Sequence, residues 1–465
     1  MVAPTKAPLP TPTPASTAAF VASALGHAPA PRPGGEREAC VITVPAPCVP
    51  VETLLEVMPD DDGFLWAPPH GPAVAGVGVA FAARGHGPER FAQVIAAADE
   101  LWPRLHAIGH PSIDAPAARL YGGFSFAPGT ARAPWTGFGD ADFMLPIWSY
   151  GRDGGAAWLR VVVHDWQEPG RRNRWVGAIE DVLGRLSATA PLAAVAPPVA
   201  TRIDEASPER WRRQVEAIRA AIAAHGCEKI VAARSTTIDL AEPPRITAVL
   251  ARLGATYGDC FRFCVRRNGA SFVGATPERL IARRGRDIET EALAGTAAVG
   301  DEVGLLASAK DRGEQAPVVR AIRAILEPLC ATLEVPAEPQ IRTLPGMLHL
   351  QTRIRGTLGS AAPHVIELVH ALHPTPAVGG FPTAAALAWI AGHEPDPRGW
   401  YAGPVGWFDA SGDGELAVAI RSGLLRGRQA HLFAGAGIVR DSDPDAELAE
   451  TRLKLRALST ALGVG

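Results

Sequence analysis

From Glu38 onward the chain is built of short apolar runs cut apart by Gly and Pro, and that spacing constrains its fold more than any other feature. ACVITVPAP, VAGVGVAFAA, RLYGGFSFAPG, FMLPIWSYG and AAWLRVVVHDW follow one another up to Trp166. Runs of this length, with β-branched and aromatic residues between turn formers, are strands. One helix, from Gly87 to Ile108, interrupts them. GGFSF at 122–126 puts Gly where backbones pack closely. Residues 186–206 are rich in Ala and Pro and read as a linker or a long excursion.

The second half mixes helices and strands. Ser207-Pro208-Glu209 opens a helix to His225 by its cap and proline signals. KIVAARSTTIDL is a strand with Lys229 at its start, and Arg245 to Tyr257 is a helix. FRFCVRR and ASFVGATPERLIARR read as a hairpin, and IETEALAGTAAVG as an extended run. A helix carrying Asp311 and Glu314 spans about Val303 to Leu333. GMLHLQTRIRGTL is a strand, HVIELVHALHP a short helix, ALHPTPAVGGFP an irregular loop and PTAAALAWIAG a further helix. GELAVAIRSGLLRGRQAHLFAGAG reads as two strands turning at Arg426-Gly427-Arg428, and a last helix starts near Asp443-Pro444. There is no internal repeat and no repeated βαβ unit, so the fold class is α+β with antiparallel strands.

Composition bounds the partners. The net charge is −3 and the sequence pI about 6.5, which gives no electrostatic footprint for nucleic acid. No apolar run is long enough to span a membrane, and the mildly apolar stretch Ser16 to Ala28 follows a proline-rich segment unlike a signal peptide. The six cysteines lack a zinc spacing and read as reduced thiols of a cytoplasmic protein. Residues 1–36, rich in Pro, Ala and Thr, are expected to be a disordered tail. Residues 37–465 are expected to form one domain, with a strand-rich half (37–200) and a half that mixes helices and strands (201–465). Lys and Arg together number 45, yet only four are lysines: Lys6, Lys229, Lys310 and Lys454. Where Arg serves as the generic cation, a retained Lys points to a need for a compact ammonium or a nitrogen able to lose its proton.

Candidate chemistry is densest between Trp400 and Leu458. Glu447, Glu450 and Lys454 are spaced i, i+3, i+7 and share one helix face, near Arg421 and the small-residue run Ala434-Gly435-Ala436-Gly437. Taken alone, this segment is better explained as a solvated face with an i,i+4 Glu–Lys pair. Asp311 and Glu314 repeat the acidic spacing on another helix. Two such helices could converge on a hard divalent cation, and oxygen-only ligands favour Mg²⁺. Lys229 is a candidate base, because burial lowers a lysine pKa. Glu278 sits at a strand-to-strand turn, where a surface carboxylate paired with Arg279 is the alternative. His349, His370 and His373 lack a metal-ligand spacing and fit satisfied core or surface histidines. There is no P-loop, dinucleotide fingerprint or GxSxG.

Ten ordered segments together carry more. KIVAARSTTI, FVGATPERL, TEALAGT, SAKDRGEQ, LHLQTRIRG, ALHPTPAVGGFP, YAGPVGWFD, VAIRSG, FAGAGIV and AELAETRLKL resemble the chorismate-utilising enzymes, which include anthranilate, aminodeoxychorismate, salicylate and isochorismate synthases. The resemblance runs from about residue 200 to the C-terminus, and more loosely over 40–185 through LYGGFSF. Residues 1–36 have no counterpart in it. Three positions resemble the isochorismate synthases within the family. Ala294 in LAGT stands where aminodeoxychorismate synthases carry a nucleophilic lysine. Lys229 matches the water-activating lysine that ammonia-using relatives lack. Ala377 stands where anthranilate and salicylate synthases carry Thr.

The resemblance implies a central antiparallel β-sandwich flanked by helices, with the active site in a deep cleft. It implies conversion of chorismate to isochorismate, with Lys229 as base, Glu278 as acid, and Mg²⁺ held by Glu314 and Glu450 with Asp311 and Glu447 behind. Tyr401, Arg421 and the Gly437 backbone would take the enolpyruvyl carboxylate. Gly295 and Thr296 would line the ring pocket, and Lys454 would add charge near a carboxylate. His349 is the next candidate base should Lys229 act only by charge. Gln315 departs from the family's usual His after the metal Glu. The protein is expected to work as a monomer, with no glutaminase subunit, nucleic acid or membrane partner. A salicylate synthase that continues to salicylate and pyruvate is the alternative, and a non-catalytic binding homologue is a third reading that the retained acid, base and carboxylates oppose.

Overall fold

The computed structural model describes residues 14–28, 38–59, 62–168, 170–188, 195–224 and 226–464. Its strands form a continuous ladder that crosses between the two halves of the chain. Gly63–Ala67 of the first half pairs with Phe261–Arg267 of the second, and Arg119–Phe124 pairs with Pro404–Asp409. The halves are therefore one folding unit. Every pairing is antiparallel except that of Ala39–Pro45 with Leu105–Gly109.

The long strand Ala141–Asp153 divides the ladder into two leaves. Its first part pairs with Arg119–Phe124 and its second with Ala156–Val163. Apolar side chains collect in two cores. One holds Trp66, Phe124, Trp135, Phe143, Trp400 and Phe408, and the other Ile42, Leu159, Trp166, Leu250 and Leu462. The architecture is α+β and predominantly antiparallel, as the turn-punctuated apolar runs require.

Several local expectations are corrected. The tail is not wholly disordered: Pro14–His27 is a helix that buries Val21 and Leu25 in the second core, while residues 1–13 and 29–36 lie outside the described residues. Two well-spaced apolar side chains were enough to dock it, which the Pro/Ala-rich composition around them obscured. The helix expected to reach Ile108 ends at Leu101, because Pro103 cannot continue it and Leu105–Gly109 is taken up as a strand. Residues 186–206 hold the end of the helix Arg171–Ala188 and the strand Ala200–Glu205, with 189–194 outside the described residues. The helix opened by Ser207 runs Pro208–Ala223, and His225 lies outside the described residues. The single helix expected over 303–333 is Glu302–Ala307, then Ala309–Leu326, then the strand Cys330–Glu334.

Two strand breaks shape the site. ASFVGATPERLIARR is interrupted at Pro277-Glu278 into Ala270–Thr276 and Arg279–Arg284. GELAVAIRSGLLR is broken at Arg421, whose φ of +51° takes the chain out of the pleat between Gly414–Val418 and Ser422–Arg426. A non-glycine residue in this region is costly and is held there by its surroundings.

Candidate active site

The site sits where the start of Lys229–Leu240 pairs with the end of Gln429–Ile438, Val231 opposite Gly437. Three further elements bring side chains to it. The helix Pro444–Ala461 starts at Asp443, whose carboxylate accepts from the amides of Asp445 and Ala446, and it packs on Gln429–Ile438. The helix Ala309–Leu326 starts at Ser308, whose hydroxyl accepts from the Asp311 amide, and it packs on Asp287–Ala297. The loop before Gly380–Phe381 wraps the first strand through Val231 N–H to the Gly379 carbonyl at 3.1 Å and Glu228 N–H to the Phe381 carbonyl at 2.8 Å.

One cavity is lined by Glu278, Gly295, Thr296, Glu314, His349, Ala377, Tyr401, Arg421, Gly437, Glu450 and Lys454. Eleven of the residues singled out in the sequence thus converge. Lys229, Asp311 and Glu447 stand behind the wall. Lys229 is fully buried, and its ammonium nitrogen lies 3.1 Å from Glu314 Oε1. Asp311 Oδ1 accepts from the Thr296 amide at 3.3 Å. Glu447 Oε1 lies 3.0 Å from the Lys310 ammonium.

All three lysines outside the N-terminal tail are paired in the same way, Lys454 with Glu450 at 2.5 Å completing the set. Burial pushes the Glu450 carboxyl up, but the Lys454 ammonium outweighs it, and the group ends below the usual carboxylate range. Burial and then the Glu450 charge push Glu447 the other way, up. Among the described residues no three His, Cys, Asp or Glu side chains form a ready metal group. Glu314 and Glu450 are nevertheless two carboxylates facing one cavity, an oxygen-only donor set that fits a hard divalent cation.

The glycines make room for functional side chains. A Cβ on Gly437 would meet Glu314 Oε1 at 2.3 Å and Lys229 Cε at 2.6 Å. One on Gly435 would meet the Tyr401 hydroxyl at 3.1 Å. Gly295 has φ +73°, and a Cβ there would stand 2.9 Å from that of Asp311. The bare strand end was expected to admit a ligand to the backbone; it also admits the lysine, the carboxylate and the phenol.

The opposite electrostatic choice is made around Glu278. Burial, and then the charge of Glu291, push its carboxyl up to about 8, against the pull of Lys229, Arg421 and Lys454. Burial next to Arg421 drives His349 down to about 3, so its ring is neutral. Its Nδ1–H donates to the Gly295 carbonyl at 2.7 Å, leaving Nε2 to accept from Arg421 Nη2 at 3.0 Å. With its accepting nitrogen occupied, His349 is a poor base. Arg421 also contacts Met347 Sδ at 3.0 Å, so its hydrogen-bond partners among the described residues are neutral and its charge faces the cavity. Burial raises Tyr401 to about 12, which keeps the phenol proton, and its ring stacks on Phe433.

A wider cleft of about 840 Å³ takes Arg279, Arg284, Glu289, Arg355 and Glu415, but each of these is engaged in ion pairs with the others. The smaller cavity, with an arginine held by neutral groups and a carboxyl that keeps its proton, is the chemically poised one.

Sequence reasoning missed Arg398 and Glu291. Arg398 is buried, pairs with Glu394, and donates to the Val378 carbonyl at 2.7 Å and the Val231 carbonyl at 2.8 Å, tying the Ala377 loop to the Lys229 strand. The i,i+4 spacing of Glu394 and Arg398 was its only signal. Glu291 is the one charged residue in the buried run Thr290 to Ala294. The unusual Gln315 donates to Thr352 Oγ1 at 3.1 Å, away from the cavity lining.

The chain belongs to the family described as chorismate binding enzymes, whose pattern matches residues 32–463. It is similar to the salicylate biosynthesis isochorismate synthase of Pseudomonas aeruginosa, 39% identical over 400 residues that cover 83% of this chain and 82% of that one. It is also similar to the isochorismate synthase MenF of Bacillus subtilis, 35% identical over 362 residues, 74% of each chain. The solved structure of the menaquinone-specific isochorismate synthase MenF of Escherichia coli superposes with a TM-score of 0.77 at 27% identity, covering 96% of this chain and 99% of the other.

Gly437→Ala is expected to lower kcat by about 10²-fold, because the new methyl displaces Lys229 and Glu314 from their places beside the cavity. Steady-state turnover alongside a circular dichroism check of folding measures it; near-normal turnover would show that the close approach is dispensable.

Proposed function

We propose that the protein is an isochorismate synthase that moves the hydroxyl of chorismate from ring C4 to C2, with water as the incoming nucleophile. The observation that carries this reading is a cavity lined by a carboxyl that keeps its proton, Glu278, and by Gly437, behind which the buried Lys229 stands. Lys229, once its ammonium has given up a proton to become the neutral amine, takes a proton from water as the water oxygen bonds to C2. Both ring double bonds shift, from C1=C2 to C1=C6 and from C5=C6 to C4=C5, the C4–O bond breaks, and the departing hydroxyl takes the Glu278 proton. Arg421 and the Tyr401 hydroxyl bind the enolpyruvyl carboxylate beside the Gly437 backbone, the arginine by a two-pronged contact. Gly295 and Thr296 lie along the ring, and Lys454 adds positive charge. Glu314 and Glu450 would hold Mg²⁺, with Asp311 and Glu447 behind them, and the ion would neutralise the ring carboxylate. The chain acts without a glutaminase subunit, because water and not ammonia is activated. Relatives named for salicylate, menaquinone and vibriobactin formation use isochorismate in each of these routes by name, which supports a role in siderophore or menaquinone supply.

A second reading, salicylate synthase, draws support from the salicylate-biosynthesis relative and is opposed by Ala377. Among the described residues no helix is long and apolar enough to cross a membrane.

Product analysis of chorismate turnover is the direct test. Isochorismate should accumulate without pyruvate, activity should vanish in EDTA, and Mg²⁺ should restore it; salicylate and pyruvate in equal amounts would establish the second reading. Lys229→Arg should bind chorismate in a titration yet turn over about 10²- to 10⁴-fold more slowly, since arginine keeps the charge but cannot act as a base. Near-normal turnover of that variant would leave Lys229 a purely electrostatic role.

The acid sets the pH range. Glu278 holds its proton up to about pH 8 in the folded protein, so kcat/KM should fall about tenfold per unit above that pH, as the protonated fraction does. The sign for stability is the same. Between the ordinary carboxyl pKa and about 8 the folded chain binds a proton that the unfolded chain does not, so stability declines as pH rises through this window. A wild-type profile with no alkaline limb, or a Glu278→Gln enzyme that keeps both its turnover and the limb, would remove Glu278 from the acid role.

A further inference from the structure

Glu278 stands in a turn with no regular structure of its own, between Ala270–Thr276 and Arg279–Arg284. Three bonds hold it. The Glu278 amide donates to Thr276 Oγ1 at 3.3 Å. On the following peptide, the Glu278 carbonyl accepts from the Val418 amide at 3.0 Å, and the Arg279 amide donates to Glu291 Oε1 at 2.7 Å. That peptide is clamped from both ends, by a backbone strand on one side and by a side-chain carboxylate on the other. The carboxylate belongs to Asp287–Ala297, the strand that also carries Gly295 and Thr296 to the cavity. Its second oxygen accepts from Gln351 Nε2 on the paired strand Met347–Leu358. Glu291 is 9% exposed and does not line the cavity.

A carboxylate is an odd choice for a clamp in the core. The Gln351 and Arg279 bonds would be met as well by a neutral amide, and a buried charge costs free energy. We propose that Glu291 is a positioning residue for the acid of the reaction, fixing the peptide after Glu278 and placing a second buried carboxylate behind it. This inference rests on the reading of Glu278 as the proton donor. The clamp aims the Glu278 side chain. The charge resists the loss of the Glu278 proton, since two buried carboxylates at one turn disfavour joint ionisation. The groups facing Glu278 from the other elements, Lys229, Arg421 and Lys454, are cationic and pull the opposite way, while Tyr401 stays neutral. Burial pushes the Glu291 carboxyl itself up, and the Arg279 amide, Gln351 and the charges of Arg279 and Arg342 pull it back only in part. Without Glu291 the three cations would draw the proton off the acid at a lower pH.

Two substitutions separate aim from charge. Glu291→Gln keeps an oxygen for the Arg279 amide, with Gln351 turning its own amide to match, and removes the charge. The alkaline limb of its kcat/KM profile should move down by about one pH unit, with kcat on the acid side nearly kept and KM little changed. Glu291→Asp keeps the charge but is one methylene too short for the clamp. Its limb should stay near the wild-type position while kcat falls about tenfold at every pH, a loss typical of a misaligned group. Chorismate titration counts the competent sites in each variant, so a misfolded fraction is corrected for. A Glu291→Gln profile that superposes on wild type, in an enzyme whose Glu278→Gln form is dead, would overturn the inference and leave the proposed reaction standing. An active Glu278→Gln enzyme would overturn both at once.

Discussion

The site depends on three ammonium–carboxylate pairs, Lys229–Glu314, Lys310–Glu447 and Lys454–Glu450, at 3.1, 3.0 and 2.5 Å. Several carboxylates gathered near one partly buried cavity repel one another, and each left alone would take up a proton. A nearby cation changes that balance, because removing one partner of a buried pair typically costs about 3–5 kcal/mol. Lysine suits the task in a chain otherwise furnished with arginine: beside Gly437 its ammonium is a compact point charge, and unlike a guanidinium it can lose its proton. The Lys454 ammonium reaches two partners, Glu450 and the Gly435 carbonyl at 2.9 Å, and so ties the last helix to the glycine-bearing strand.

Around Glu278 the same cavity does the reverse. Burial and a second carboxylate keep one acid protonated within reach of three cations. Groups whose surroundings push their proton affinities in opposite directions are the usual sign of divided acid and base duties. Arg421, taken out of the strand by its positive φ, contributes a charge met only by neutral partners, and His349 is fixed as a neutral acceptor beside it. The strand breaks at Glu278 and Arg421 therefore spend local regularity on function.

Much of this was legible in the sequence, and the failures have physical causes. The strand Lys229–Leu240 and the helix Pro444–Ala461 were marked by alternation and by the Asp-Pro cap, signals that act within a few residues. The turn at Glu278 was placed from the sequence, but the break at Arg421 was read as continuous strand, because the contacts that hold it, Met347 and His349, come from a distant part of the chain. The carboxylate spacing could not show whether Glu447 and Asp311 face the cavity or stand behind it. That was decided by Lys310 and by the Thr296 amide. Glu291 and Arg398 act on the backbone of other segments, a role with no local pattern.

In the proposed reaction solvent water, activated at Lys229, becomes the new ring hydroxyl. Turnover of chorismate in ¹⁸O-enriched water, with mass analysis of the product, tests it most directly. The account predicts isochorismate carrying one ¹⁸O at C2 and none in the enolpyruvyl group. Isochorismate without label would mean that the hydroxyl migrates within the molecule, and would contradict it.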